Sequence, residues 1–374
     1  MDKNSILKIY GTDFKEMTML LLKEIHADVL IRNKCGISGL IGIKPNLVSP
    51  SLPEMGATTH PEIVAGIIEY LKENSFSNLI MLEGSWVGDK TSDAYELCGY
   101  RELSEKYGVP FIDLQKDSYT KITCRDEEIS ICDTALKLDF LINVPVLKGH
   151  CQTRVTCALK NLKGLLPSFE KRRFHSMGLH RPIALLNSII RQDLIITDNI
   201  CGDPDFEDGG SPFIRNCIMA STDPVLTDAY ACSLMHINST DVPYITMSEA
   251  LGTGSADILK ADIKILRETN EWKDCELPYP DRVVSVSDMV EEVDSCSACY
   301  GYLIPALDML KNEGLLSQLD EKICIGQGYR GKTGRLGIGN CTSKFDFNIK
   351  GCPPTEQEIY EQLKAFILSH SDKA

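Results

Sequence analysis

The sequence has 374 residues, of which 43% are hydrophobic, and it carries a formal net charge of −14 at pH 7. That length can bury a large core and indicates one large domain with an appendage, or two domains. The negative charge argues against a general nucleic-acid binder, which needs a basic surface to attract phosphates. Because the N-terminal residues are polar and no apolar run could span a bilayer, we expect no membrane segment and a cytoplasmic location.

Short apolar strands alternate with amphipathic helices over most of the chain. A strand over 40–48 precedes a helix for which Thr59 suits the cap and Pro61 the first turn. The remaining predicted elements are strands at 78–84, 109–114, 138–144, 193–200 and 217–222, and helices near 91–107, 183–192 and 225–235. This alternation predicts an α/β fold with a doubly wound, mostly parallel sheet.

The character of the sequence changes toward its end. A strand is predicted at 282–288, followed by an acidic stretch, a segment rich in Cys and Gly, and a final helix over 356–370. No internal repeat is evident. We therefore expect two domains, an α/β domain over 1–287 and a smaller cluster-binding segment over 288–374.

Five of the fifteen cysteines lie close together in the C-terminal segment. A cubane iron–sulfur cluster needs four thiolates on convergent backbone, and nearby glycines let the backbone wrap around it. We predict that Cys296, Cys299, Cys341 and Cys352 hold one [4Fe–4S] cluster, while Cys324, which follows an apolar isoleucine, stays outside the ligand set. The proline after Cys352 further predicts a sulfur at a helix start, where a thiolate is favoured.

Zinc is the alternative occupant of this segment, because it also takes four cysteine ligands. Structural zinc usually uses two paired knuckles, whereas this segment has one Cys-x-x-Cys pair and otherwise single cysteines. A third possibility is a set of unliganded or disulfide-forming cysteines. The pattern favours the iron–sulfur cluster over both.

A basic window interrupts the acidic chain between Val144 and Arg191. It contains nine Lys and Arg residues and a single acidic residue, Glu170. One interpretation is a solvated basic face, which is how most charge runs end up. Exposed faces usually mix both signs, however, so the near absence of acidic residues favours a site that accepts an anion.

Several charged or titratable residues, some of them in this basic window, directly follow predicted strands. Lys148 and His150 follow one apolar strand, while Lys44 and Glu83 follow two others. Doubly wound sheets bind ligands at the carboxyl ends of their strands. We therefore expect Lys148, His150 and Lys160 to converge with Lys44 on a pocket for a small carboxylate or phosphate.

Motifs spread in order over about residues 40–235 resemble the DUF362 family. They are Ile43–Val48, Gly56–Pro61, Glu83–Ser85, Val146–His150, Val155–Gly164 and Asp223–Asp228. This family is widespread in anaerobic bacteria and archaea and often carries iron–sulfur segments, so the resemblance implies a fold and a pocket. The site residues that it implies are Lys44, Asn46, Thr59, His60, Glu83, Lys148, His150, Lys160, Asn161, Lys163 and Asp223.

The function predicted from these features is an iron–sulfur oxidoreductase that acts on a small anionic molecule. His150 or His60 would donate a proton, since imidazole titrates near neutral pH, and Lys148 would act beside them. The substrate would be bound by Lys44, Asn46, Glu83, Lys160, Asn161, Lys163 and Asp223. An electron donor such as a ferredoxin is the expected partner. The alternatives are a non-catalytic electron carrier or redox sensor that docks on a partner enzyme, a cluster-delivery protein, and a zinc-stabilised binding protein.

Overall fold

A computed structural model describes residue 2 and residues 4–371 of the chain. The chain divides into two compact units, the first formed by Met1–Lys171 and Leu179–Tyr279, the second by Arg172–Gly178 and Pro280–Ala374. The domain boundary predicted at 287 therefore falls inside the second unit.

The first unit is built around a large mixed sheet. Its strands, together with those of two small hairpins, are β1 (Ser5–Tyr10), β2 (Ile41–Pro45), β3 (Leu79–Glu83), β4 (Phe111–Asp113), β5 (Tyr119–Cys124), β6 (Glu127–Cys132), β7 (Phe140–Val144), β8 (Lys148–His150), β9 (Arg154–Thr156), β10 (Leu194–Gly202), β11 (Phe213–Ser221) and β12 (Asp262–Arg267). Within the described residues eight of them form one sheet, in the order β12-β1-β11-β10-β7-β2-β3-β4.

Only β11 among these described sheet strands runs against its neighbours, pairing antiparallel with β1 and β10. The pairs β1–β12, β10–β7, β7–β2, β2–β3 and β3–β4 are all parallel. The prediction of an α/β fold with a mostly parallel sheet is confirmed.

Helices connect these strands. They are α1 (Phe14–Glu24), α2 (Ala27–Cys35), α3 (Pro61–Glu73), α4 (Thr91–Leu97), α5 (Tyr100–Tyr107), α6 (Asp133–Leu136), α7 (Ala158–Asn161), α8 (Ser168–Ser176), α9 (His180–Ile189), α10 (Pro224–Leu234) and α11 (Pro243–Ala250). The residues of α8 from Arg172 onward belong to the second unit. Helix α3 buries an apolar face that includes Ile63, Ile67 and Leu71, as its periodicity predicts.

The strand order reverses between β2 and β7. Strands β3 and β4 extend the sheet on one side of β2, whereas β7 and β10 extend it on the other. In open α/β sheets a crevice forms outside the carboxyl ends of the strands at such a reversal. Because Lys44 of β2 pairs with Asn143 of β7, the residues just beyond them lie at this point.

Two predicted details of the first unit are wrong for local reasons. The helix expected near 91–107 is two helices, because Gly99 adopts a φ of +77° between them. Thr59 does not cap α3. Its hydroxyl instead donates to the Val144 carbonyl at 2.8 Å and accepts the Asn46 N–H at 2.8 Å, which ties β2 to β7.

The second unit contains a small parallel sheet in which the strands follow chain order. Its elements are α12 (Val284–Ser287), β13 (Val290–Glu292), α13 (Ser297–Asn312), β14 (Ile323–Ile325), β15 (Leu336–Ile338), β16 (Phe347–Ile349) and α14 (Glu356–Ser371). The strand predicted at 282–288 is wrong, since α12 occupies that stretch and the strand follows in the acidic residues. The predicted final helix is α14.

A short repeat underlies this sheet, contrary to the expectation of none. Each of β14, β15 and β16 ends in an isoleucine, and the next three residues are Gly-Gln-Gly, Gly-Asn-Cys and Lys-Gly-Cys respectively. Neighbouring strands pair in parallel register, so these three turns lie side by side at one edge of the sheet. The repeat is too short to stand out in the sequence.

No helix in the part of the chain that the structure describes combines the length and the apolar character needed to cross a membrane.

Close backbone packing at the end of β10 gives a test of the fold. A Cβ on Gly202 would lie 1.9 Å from the Leu147 carbonyl oxygen, so we expect Gly202→Ala to lower the free energy of unfolding by about 1–3 kcal/mol. Gly301→Ala is the control, because Gly301 lies inside α13 with open space around it, and that substitution should stabilise by up to about 1 kcal/mol. Urea denaturation followed by circular dichroism measures both. Equal stabilities for the two variants would contradict the packing described at Gly202.

Candidate functional site

Lys44 lies at the carboxyl end of β2 with its ammonium fully buried. It donates to Glu83 Oε2 at 2.7 Å and to the Pro45 carbonyl at 3.1 Å. Glu83 ends the neighbouring strand β3 and also accepts the backbone N–H groups of Leu47 and Gly84. Burial lowers the pKa of Lys44, while the Glu83 carboxylate opposes that shift. The pair forms a compensated buried ion pair at the point where the strand order reverses.

Lys148 is buried beside this pair, with 1% of its surface exposed. Its ammonium donates to the carbonyl oxygens of Ala57 at 2.5 Å and Glu207 at 2.6 Å, and to Asn46 Oδ1 at 3.4 Å. Burial, reinforced by the neighbouring Lys160, lowers the pKa of Lys148 to about 7. Three oxygens therefore surround a lysine whose charge is sensitive to pH near neutrality.

Glu207 connects the other two predicted residues of this group. Its Oε2 lies 2.5 Å from Lys160 Nζ and 3.1 Å from His150 Nε2. Burial alone would raise the pKa of Glu207, but His150 and Lys160 hold it well below its usual value. We call Lys44, Lys148, His150 and Lys160, together with Glu83 and Glu207, the lysine cluster.

Neither predicted proton donor titrates near neutral pH. Burial lowers the pKa of His150 to about 4, and its Nδ1 accepts two backbone N–H groups, so its Nε2 carries the proton donated to Glu207. Burial would also lower the pKa of His60, but the Asp198 carboxylate at 2.8 Å raises it to about 11. Lys148 and Asp208 are the members of this region whose pKa values lie at about 7.

Five buried amide side chains run from the lysine cluster along the sheet, in the order Asn46, Asn161, Asn143, Gln192 and Asn187. Each amide nitrogen donates to the side-chain oxygen of the next, over 3.0, 2.7, 2.6 and 2.7 Å. Because every bond points in the same direction, the bonds polarise one another. The chain fixes the orientation of Asn46, which in turn accepts from Lys148.

The structure brings Lys148, His150 and Lys160 together on Glu207, while Lys44 pairs with Glu83. These lysines are buried, unlike the side chains of a solvated face. Lys148 and Lys160 are 1% and 7% exposed. Asn46 and Asn161 also join the group, and the charge of half-buried Lys163 contributes to the low pKa of His150. The roles of these residues in binding or catalysis stay predictions.

Asp223 does not belong to this group. It follows β11, the antiparallel strand, and therefore lies at the opposite edge of the sheet from the ends of β2 and β3. Its Oδ1 accepts the N–H groups of Val225 and Leu226, so it caps α10. Its role as a helix cap accounts for Asp223 without a binding role.

Sequence reasoning missed three acidic residues of this region. Asp198, Glu207 and Asp208 lie outside the basic window, so a local charge count gave an excess of cations that the fold removes. A signal was present in the acidic run Asp203–Asp208, which directly follows β10. Like the predicted residues, it stands at a strand end near the reversal.

The second unit brings the four predicted cysteine ligands toward one another. Cys296 occupies the N-cap position of α13 and Cys299 lies in its first turn, while Cys341 and Cys352 follow β15 and β16 in the repeat. A Cβ on Gly339 would lie 3.6 Å from Cys299 Sγ. Burial raises the pKa of Cys299 to about 12, and nearby Cys296, Cys352 and Cys341 add to the rise. We call these four residues the cysteine site.

Cys324 is placed differently. It lies within β14, where its backbone pairs with Gly337 and Glu291, and its thiol contacts the Tyr329 hydroxyl. Burial raises its pKa, and the carboxylates of Glu291 and Glu321 act in the same direction. Cys324 therefore lies within a strand, whereas Cys341 and Cys352 lie in the turns after β15 and β16.

One predicted detail of the cysteine site is wrong. Cys352 does not stand at a helix start, because α14 begins at Glu356 and is capped by Thr355, whose backbone and hydroxyl both donate to Glu358. The cysteine at the start of a helix is Cys296.

Among the residues that the structure describes, no three His, Cys, Asp or Glu side chains are grouped closely enough to hold a single metal ion.

The buried contacts of Glu207 give the sharpest test of the lysine cluster. We expect Glu207→Gln to lower the free energy of unfolding by about 3–5 kcal/mol, because the change leaves buried Lys160 without its counter-charge. Glu96→Gln, which removes the carboxylate of the exposed pair with Arg101, should cost less than about 1 kcal/mol. Thermal and urea denaturation measure both. A loss for Glu207→Gln no larger than that for Glu96→Gln would show that the cluster contributes little to stability.

Comparison with known proteins identifies relatives of this chain. A thylakoid-associated protein of Synechocystis sp., sll1697, is 24% identical over 217 residues, which cover 56% of this chain and 67% of that protein. Among solved structures, the lactate racemase apoprotein of Thermoanaerobacterium thermosaccharolyticum has 13% identity and a TM-score of 0.43, covering 62% of this chain. A Thermotoga maritima protein solved by a structural genomics consortium has 14% identity and a TM-score of 0.38, covering 60% of this chain.

The chain spans 57% and 60% of the lengths of these two solved structures. The sequence model of the family described as "Domain of unknown function (DUF362)" matches residues 41–233, which is more than half of the chain and includes every residue of the lysine cluster. The chain therefore belongs to the DUF362 family.

Proposed function

We propose that this chain is an iron–sulfur protein in which Cys296, Cys299, Cys341 and Cys352 hold one [4Fe–4S] cluster. The observation that carries the proposal is the alignment of turns at one edge of the small sheet. Two successive strand ends supply Cys341 and Cys352, and the start of α13 supplies the other two cysteines. Four thiolates on convergent, glycine-rich backbone are what a cubane cluster requires.

The donor set and its spacing support a cluster over zinc. Structural zinc usually uses two paired knuckles. Here Cys296 and Cys299 form one Cys-x-x-Cys pair, whereas Cys341 and Cys352 stand singly.

Polar groups around the cysteine site support thiolate ligands. Gln327 Nε2 lies 3.8 Å from Cys296 Sγ, and the Arg330 guanidinium contacts Cys341. Hydrogen bonds to ligand sulfurs are one of the means by which a protein sets cluster potential. When bound, the cluster would supply single-electron transfer, while these residues would hold the sulfurs and offset their negative charge.

We expect the anaerobically purified protein to be brown, with about four irons and four sulfides per chain. Cys296→Ser and Cys352→Ser should each abolish cluster binding, because serine loses the soft thiolate that iron prefers. Cys324→Ser is the matched control and should retain most of the iron. Iron and sulfide analysis with an EPR spectrum of the reduced protein provides the measurement.

Stoichiometric zinc after anaerobic reconstitution with iron and sulfide would overturn this proposal. Loss of the cluster in Cys324→Ser together with its retention in Cys341→Ser would overturn the ligand assignment instead.

For the whole chain we propose a cytoplasmic oxidoreductase that receives electrons from a donor such as a ferredoxin and acts on a small carboxylate or phosphate. The convergence of Lys148, Lys160 and His150 beside the strand reversal supports this substrate class. In this role Lys148 and Lys160 would bind the anion, and His150 would donate a hydrogen bond from Nε2. Lys148, rather than His150 or His60, is the residue of this region suited to exchange a proton near pH 7.

A non-catalytic electron carrier is the second candidate, and one observation favours it. The carboxylates of Glu83 and Glu207 already neutralise Lys44 and Lys160, so the lysine cluster has its own anions. Under this alternative the lysine cluster stabilises the fold. The protein would then carry electrons at its cysteine site and dock on a partner enzyme.

Ligand titration separates the two candidates. If the lysine cluster is a substrate site, phosphate or succinate should raise the melting temperature of the wild-type protein, and Lys148→Met should abolish the rise. The EPR spectrum should stay unchanged in this variant, because the cysteine site shares no residue with the lysine cluster. Lys116→Met, at an exposed lysine, serves as the control. A wild-type protein that responds to neither anion, or a response that survives in Lys148→Met, would favour the electron carrier.

A further inference from the structure

Cys201, His60 and Asp198 form a buried arrangement in the first unit that the proposed function does not use. His60 Nδ1 lies 2.8 Å from Asp198 Oδ2, and the same oxygen accepts the backbone N–H of His60 at 2.8 Å. The other ring nitrogen, Nε2, lies 3.8 Å from Cys201 Sγ. Asp198 thus holds His60 by one bond to the ring and one to its backbone, and Nε2 of the ring faces the thiol. The three residues stand in the order of a nucleophile, an imidazole and an orienting carboxylate.

The sheet pairing is irregular beside this arrangement. Asn199 pairs with Cys217 and Cys201 pairs with Ile214, so β10 advances by two residues while β11 advances by three. The extra residue therefore lies on β11, where Asn216 has a φ of +49°. Asp198 and Cys201 are both on β10 and both contact His60. Bulges are over-represented next to active sites.

A thin cover lies over the thiol. Cys201 Sγ donates to the Pro53 carbonyl at 3.3 Å, and Pro53 opens a single helical turn, Pro53–Met55. Cys201 itself is 5% exposed, whereas Leu52 and Met55 on this segment are 48% and 43% exposed. One turn of backbone therefore separates the sulfur from solvent, which restricts access to small molecules.

We propose that Cys201 is a nucleophilic thiol, activated by His60 and Asp198, that takes a small carbon electrophile such as an alkyl or acyl group. The sulfur electron pair forms the S–C bond, the leaving group departs with the electrons of the broken bond, and the thiol proton passes to solvent. A neighbouring imidazolium stabilises the thiolate that attacks. This site uses no residue of the lysine cluster or the cysteine site.

The test is limited alkylation of the native protein with iodoacetamide at pH 7, followed by peptide mass mapping. Cys98 is a matched internal control, because it is 2% exposed and donates to the carbonyl of Ser51 at 3.1 Å, on the same covering segment but without a histidine. We expect Cys201 to be alkylated at least about ten-fold faster than Cys98, and His60→Gln to remove most of that difference.

Equal rates for Cys201 and Cys98 in the wild-type protein would overturn the proposal, and this comparison needs no variant to fold. A Cys201 rate that is unchanged in folded His60→Gln, with folding checked by circular dichroism, would overturn the role of the histidine.

Discussion

The burial of lysine ammonium groups at the reversal of the large sheet is the constraint on which the first unit depends. Lys44 and Lys148 are 0% and 1% exposed, and an isolated buried ammonium would cost many kcal/mol. The fold meets this cost with the Glu83 carboxylate at the end of β3, and with carbonyl oxygens of the β2–α3 connection and of the loop after β10. Segments far apart in the chain are therefore held together by the same few charges.

The amide chain extends this constraint into the sheet. Asn46 must present its oxygen to Lys148, and its own nitrogen therefore needs an acceptor, which Asn161 supplies. Asn161 and Asn143 repeat the requirement until backbone carbonyls end the chain at Asn187. Asn143 is a polar residue in the apolar strand β7, and it is explained by this chain together with its bond to the Ala158 carbonyl at 3.0 Å. A half-satisfied network would be worse than an apolar core, so the five residues act as a unit.

The sequence predicted the parts of this structure that depend on local patterns. Apolar runs located β2, β3, β7 and β10, and the lysines that follow them were expected to meet because parallel strand ends share an edge. Glu83 was expected at the same edge for this reason. Glu207 could not be found in the same way, since it lies outside the basic window and is paired with Lys160 by the fold rather than by spacing. The same limit explains why Asp223 was wrongly expected at this edge. It follows β11, and the antiparallel direction of that strand depends on its pairing rather than on a local pattern. In the second unit, three-residue strands are too short for periodicity, so the repeat behind Cys341 and Cys352 emerges only from their register.

The charge balance of the lysine cluster also limits what it can bind. Glu207 presents its carboxylate to Lys160 and His150 and its carbonyl to Lys148, so one residue occupies the position that an anionic ligand would take. A ligand must therefore exchange with Glu207, and its net affinity is the difference between two similar interactions. A monoanion would gain little net affinity from such an exchange. A dianion, or a carboxylate that also contacts Lys148, would gain affinity from the additional contacts. In the proposed substrate role, an anion could therefore bind Lys160 only by displacing the Glu207 carboxylate.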